Sequence, residues 1–126
     1  MEVAVKIVQT VIGLGILNVW LVRFGKQTPF RGGDAKNMRE EFQVYGLPDW
    51  FLMVVGFLKI VFAAMLIVGV WVPYLTLPAA IGMSALMLGA VSMHVKVKDP
   101  VKKAVPAFCL LLLCLIVVVA SRQILA

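Results

Sequence analysis

Four near-continuous apolar stretches, separated by polar or proline-containing breaks, run along the chain at about 2–22, 50–72, 75–95 and 102–121. The second is the most informative. From Trp50 to Trp71 it holds 22 residues with a single charge, Lys59, close to the middle. At about 1.5 Å rise per residue, that helix is roughly 33 Å long and matches a hydrocarbon core of about 30 Å. Tryptophans at its two ends predict interfacial anchors. The other three stretches are long enough to span as well. The pattern therefore predicts an all-α protein, a four-helix transmembrane bundle, with residues 1–126 forming one domain.

Lys59 lies nine residues past Trp50, roughly 13 Å deep, farther than a lysine stem can snorkel. A charge near the bilayer centre costs about 2.5–3.5 kcal/mol on insertion scales, so the site needs a partner, water or a bound anion. Gly56, Lys59 and Ala63 follow i, i+3, i+7 spacing, which puts the lysine on a stripe with two small residues. Small residues mark close helix approach in membranes, so this stripe is expected to face the bundle, with Lys59 in a cavity that opens toward the cytoplasmic side. Two readings stand: a ligand-binding or relay lysine, and a structural lysine that snorkels or bonds to carbonyls.

Residues 24–49 are the only long connection. Asp34 is expected to cap a helix over 35–45, with Gly46 as its stop and Pro48 beyond. Met38, Phe42 and Tyr45 share one face of that helix, which predicts a short amphipathic helix lying at the membrane surface or over the bundle mouth. Were it to close the mouth, Asp34, Glu40 and Glu41 would be the acids available to Lys59. In the first span, Gly13 and Gly15 suggest close packing, and Asn18 is the polar side chain expected to matter in depth, as a ligand contact or an interhelical hydrogen bond.

In the third span Pro78, Gly82, Ala85, Gly89 and Ser92 form a smooth stripe, whereas Met83 and Met87 read as core filling on another face. His94 ends this span beside the basic Lys96–Lys103 loop and reads as a satisfied boundary residue. Asp99 followed by Pro100 predicts an N-cap for the fourth helix.

Composition fits this reading: 126 residues, 63% of them hydrophobic, 14% charged, with a mean hydropathy of +1.04. The net charge of +6 would hint at nucleic acid if the cations were clustered on a soluble face. They are not. Arg23, Lys26, Arg31, Lys36 and Arg39 follow the first span, and Lys96, Lys98, Lys102 and Lys103 follow the third; only Lys6 and Arg122 lie at the opposite ends. That asymmetry predicts a multi-pass protein with basic loops in the cytoplasm and termini outside, and it excludes any case for a nucleic-acid partner. The expected location is a bacterial inner membrane. The N-terminus lacks the short apolar core and small-residue cleavage site of a signal peptide, so the first span is expected to be retained. Cys109 and Cys114 lie about 140° apart around one helix and read as apolar residues, and a lone histidine with no Cys or His cluster predicts no metal site.

The aromatic-basic loop after the first span, Gly56-Phe57-Leu58-Lys59, Met87-Leu88-Gly89-Ala90, His94 and Lys98-Asp99-Pro100 occur in an order and spacing that resemble the DoxX-like family of small four-span membrane proteins. The resemblance implies the fold. Some relatives look like partners or subunits of quinone-linked membrane oxidoreductases, others like assembly factors. Many carry a carboxylate in the second helix where this sequence has Lys59. No catalytic constellation, haem ligand pair or phosphate-binding glycine loop is present, and no cofactor can be identified beyond a quinone. Three functions follow as expectations: an ancillary module binding a lipophile such as quinone or lipid at Lys59, Gly56, Asn18 and Ala63; an accessory or assembly partner of another membrane protein or of a second copy; and a subunit of a quinone-linked oxidoreductase. The absence of an acid in any span centre weakens a small transporter. Membrane lipids are expected partners in each case.

Overall fold

The computed structural model describes residues 2–26 and 28–125, without the side chains of Glu2 and of residues 122–125. Arg122, which enters the charge pattern, therefore lies outside the described side chains. The apolar stretches form α1 (Glu2–Leu17), α3 (Asp49–Val68), α4 (Thr76–Lys96) and α5 (Val101–Leu125); the loop carries α2 (Met38–Val44). A π-helical turn, Asn18–Val22, continues α1, closed by a hydrogen bond from Arg23 N–H to Asn18 O at 2.9 Å. α1 with its π-helical continuation, α3, α4 and α5 are each long and apolar enough to cross a membrane. α1 packs on α3 and α5, and α4 packs on the same two, so the four make an antiparallel ring.

The second span is shorter than the tryptophan spacing suggested. α3 ends at Val68 after 20 residues, still about 30 Å, and Trp71 lies in the turn that follows. Gly69 sits at the stop: a side chain there would collide with Thr76 Oγ1, so the glycine lets the end of α3 close onto the start of α4. Trp50 and Trp71 are 67% and 76% exposed at the two ends of the hairpin's first arm, where interfacial anchors belong.

Each helix buries one stripe. On α1 it is Val5, Gln9, Ile12, Ile16 and Trp20; on α3 it is Leu52, Gly56, Lys59, Ala63 and Leu66. The small residues of α3 do allow close approach, since a side chain at Gly13 of α1 would lie 2.9 Å from Ala63 O. Gly15 has open space around it instead. Gln9, rather than Asn18, supplies the interhelical hydrogen bonds of the first span: its Nε2 donates to Leu66 O at 2.7 Å and Thr76 Oγ1 at 3.2 Å. Asn18 is exposed, and its side chain makes no hydrogen bond to the described residues.

On α4 the methionines fill the core as expected, and most of the small-residue stripe is exposed. Ala79, Ala80, Met83 and Met87 are buried, while Pro78, Ala85, Gly89 and Ser92 are exposed. The reason is volume. Flexible methionines fill the irregular space between α3 and α5 better than glycines would. Gly82 alone of that stripe makes a tight contact, against the ring of Phe62.

The loop helix is present but starts later than expected. Residues 35–37 are not helical, and Asn37, not Asp34, is the N-cap. Asn37 Oδ1 accepts from Glu40 N–H at 2.9 Å while Glu40 Oε2 accepts from Asn37 Nδ2 at 3.0 Å, a reciprocal arrangement that leaves Asp34 exposed. The stop at Gly46 holds. With φ at +78°, it lets Leu47 N–H reach Phe42 O and its own N–H reach Gln43 O. Met38, Phe42 and Tyr45 are all buried, so the apolar face of α2 covers the bundle mouth.

Candidate functional site

Beneath α2, between the loop ends of the long helices, lies a cavity of about 710 Å³. Its floor comes from the inner faces of α1 and α3, at Trp20, Phe51, Val55 and Lys59. Met38, Glu41, Phe42 and Tyr45 roof it. Ala85, Gly89, Met87 and His94 of α4, with Pro106 and Leu110 of α5, close the remaining side. Most of this surface is hydrocarbon or aromatic.

Lys59 is the polar group on the floor. It is 9% exposed, and its ammonium sits 5.0 Å from the centre of the Trp20 ring. It has no hydrogen-bond or ion-pair partner among the described residues. A cation over an indole face gains about 0.5–2 kcal/mol, short of the cost of holding a charge at this depth. Trp20 is placed there by Gly56, where a side chain would lie 2.8 Å from the indole, and by Phe24 and Phe42, whose ring centres are 5.9 and 6.0 Å away. Gly56 thus serves Lys59 indirectly, by making room for the ring beneath it. Ala63 marks the α1 crossing and does not border the cavity. Asn18 does border it, as does Glu41, whereas Asp34 and Glu40 do not.

Glu41 is not an ion-pair partner of Lys59. Its Oε2 pairs with Arg31 Nη1 at 3.0 Å, and its Oε1 accepts from Gly32 N–H at 3.1 Å and Tyr45 Oη at 2.7 Å. Arg31 in turn donates to the carbonyls of Arg23, Phe24 and Lys26, so one guanidinium gathers the start of the loop. Tyr45 continues the chain of contacts: its Oη lies 3.5 Å from His94 Nε2, with the rings edge to face. His94 Nδ1 donates to Asp99 Oδ2 at 2.7 Å, and Asp99 Oδ1 accepts from Gly33 N–H at 3.0 Å. Lys96 donates to Tyr45 O at 2.9 Å and Lys103 to Gly33 O. The loop is therefore fastened to α4 and α5 by a buried polar network running from Arg31 to Asp99. Burial, then the Glu41 carboxylate, pushes the Tyr45 phenol far above its ordinary range. Burial also works against an ionised Asp99, but its hydrogen bonds from His94 and Gly33 outweigh that and hold its carboxyl below the usual aspartate value.

Asp99 is consequently not the N-cap of α5. It is turned inward because Lys98, with φ at +58°, ends α4 in a left-handed cap that reverses the chain. His94 is satisfied, as expected, but by burial among Tyr45 and Asp99 rather than at a wet boundary. The roles of Arg31, Tyr45 and the His94–Asp99 pair have no local signal in the sequence, since their partners lie up to 66 residues apart. Reading the sequence missed the role of Trp20. The Asn37-x-x-Glu40 capping pattern was the one local signal available and unused. Among the described residues no group of three or more His, Cys, Asp or Glu is placed to hold a metal ion.

The model of the DoxX-like family matches residues 30–117. This chain belongs to the DoxX-like family. The match takes in α2 through most of α5, including Lys59 and the whole Arg31–Asp99 network, and leaves Trp20 and Asn18 outside it. A Bacillus subtilis (strain 168) protein, described as uncharacterized protein YdgD, is 32% identical over 96 residues, covering 71% of this chain and 84% of the relative. No solved structure matches this DoxX-like protein.

Proposed function

We propose that this DoxX-like integral membrane protein is an ancillary binding module without chemistry of its own, which holds a lipophilic molecule with a polar or anionic head, such as a quinone or a lipid. Lys59 meets the head, Asn18 and Glu41 border it, and the aromatic and aliphatic walls take the apolar part. The observation that carries this reading is the buried ammonium of Lys59, bordering a 710 Å³ cavity and making, among the described residues, a contact with the Trp20 ring but no hydrogen bond or ion pair. Pockets of roughly 300–1,000 Å³ with apolar walls and few polar groups are typical small-molecule sites. In this reading both basic loops face the cytoplasm of a bacterial inner membrane, following the charge asymmetry.

Solvent extraction of purified protein, followed by mass spectrometry, tests it against a Lys59→Met variant. Methionine keeps much of the stem and removes the charge, so the variant is expected to be at least as stable while losing the co-purified lipophile. An equal yield in both proteins, or none in either, refutes the reading. A second reading, docking of another membrane protein, is favoured by the exposed Pro78, Ala85 and Gly89 face of α4. Cross-linking from a cysteine at position 89 distinguishes it: a captured membrane-protein partner supports docking.

A further inference from the structure

The charges around the cavity narrow the ligand further. The carboxylates of the loop end are occupied: Glu41 by Arg31, Asp49 by Arg39, Asp99 by His94 and Gly33, and Glu40 by Asn37 and Lys36. Asp34 is exposed and does not border the cavity. No described carboxylate is therefore paired with Lys59; Glu41, already held by Arg31, acts on it only electrostatically and without contact. A neutral acceptor, such as a quinone carbonyl, would bond to the ammonium and leave its charge uncompensated. A single anion would cancel it, at a buried ammonium where an ion pair is strong.

Size and access narrow it again. At about 30 Å³ for each water-sized group, 710 Å³ accepts roughly two dozen heavy atoms. That is one head and one long hydrocarbon chain, and well short of a two-chain phospholipid. Ala85 and Gly89 border the cavity and are themselves exposed, so the wall there is made of small residues. A single chain can enter from the bilayer past them, head first toward Lys59.

Resting on the binding reading above, we infer that the cavity is a site for a single-chain monoanionic amphiphile, of the long-chain fatty carboxylate class, whose carboxylate pairs with Lys59 and whose chain lies along Val55, Met87 and Leu110 toward the Ala85–Gly89 wall.

Trp20 makes the inference testable by contact quenching. In a background with Trp50→Phe and Trp71→Phe, Trp20 is the remaining tryptophan, and both replaced residues are exposed at helix ends. The detergent-solubilised, delipidated protein is titrated with a brominated long-chain fatty acid at mildly alkaline pH, with its methyl ester, with a brominated two-chain phosphatidylglycerol, and with a brominated quinone. The expected result is saturable quenching by the acid, weaker by roughly ten- to hundredfold for the ester, the range of one hydrogen bond to a charged group. Lys59→Met should weaken the acid by the same factor and leave the ester unchanged; Lys59→Arg, which keeps the charge, should retain most of the acid's affinity. Ester binding as tight as the acid's, unchanged acid binding in Lys59→Met, or equal binding of the phospholipid overturns this inference while the lipophile reading survives. If no probe quenches Trp20 saturably, both fall. Should Lys59→Met not fold, the comparison of acid with ester on the unaltered Lys59 and the Lys59→Arg variant decide by themselves.

Discussion

Replacing Glu41 with glutamine should release the loop from the bundle without unfolding the bundle. The Arg31 and Glu41 side chains are 4% and 12% exposed and meet at 3.0 Å. At an effective dielectric near 20, such a contact is worth about 5 kcal/mol before desolvation. Glutamine keeps the shape and one acceptor but leaves the guanidinium uncompensated, and breaking a buried pair in that way usually costs about 3–5 kcal/mol. Arg31 retains the carbonyls of Arg23, Phe24 and Lys26, which soften the loss, so the expected cost is about 2–4 kcal/mol. It falls on the loop, because the helices keep their own contacts, and Asp99, Lys96 and Lys103 still hold its two ends. Hydrogen exchange in detergent reads this directly. Amides of residues 28–47 should exchange roughly thirtyfold faster or more, at about 1.4 kcal/mol per factor of ten, while those of α3 and α5 change little. Adding Arg31→Met removes the orphaned charge, so the double variant should be less destabilised than the two single effects together. An acceleration below about threefold in Glu41→Gln, or additive effects in the double variant, would refute the claim that this pair fastens the loop.

Gly56→Ala should destabilise by about 1–3 kcal/mol, because the new methyl group would lie 2.8 Å from a Trp20 ring already held by Phe24 and Phe42; an unchanged denaturation midpoint in detergent would contradict the packing. Tyr45 should resist ionisation. In a Tyr74→Phe background the phenolate absorbance should stay absent as pH passes about 10, the ordinary tyrosine value, and appear only as the loop opens; since the native pKa is raised, its stabilising contribution is complete below about pH 10 and lost above it. A normal phenol titration in folded protein would show that Tyr45 is not buried against Glu41. Lys98→Gly should stabilise by up to about 1 kcal/mol, since a left-handed φ of +58° strains any residue with a side chain; a fall in thermal stability would mean that the Lys98 side chain holds something of its own.

The spans and the antiparallel order were legible in the sequence, because each follows from local composition: about 20 apolar residues can satisfy their backbone in a membrane only as a helix; the family was legible from the order and spacing of short motifs. The inward stripe of Gly56, Lys59 and Ala63 was legible for the same reason, since spacing along one helix is local geometry. So was the apolar face of α2. The cap of that helix was not, because Asp34 and Asn37 are both good caps and the choice fell to the reciprocal bond with Glu40. That Met83 and Met87 fill the core was legible too, whereas the burial of Ala79 and Ala80 beside them was decided by what α3 and α5 leave to fill. Likewise the partner of Glu41 depended on Arg31 folding back across the loop, and that of His94 on a chain reversal at Lys98 that no spacing rule announces. Hydropathy located Lys59, but only the assembled helices made it a buried charge without an acid partner among the described residues: whether any acid could reach it depended on contacts between residues far apart in the chain.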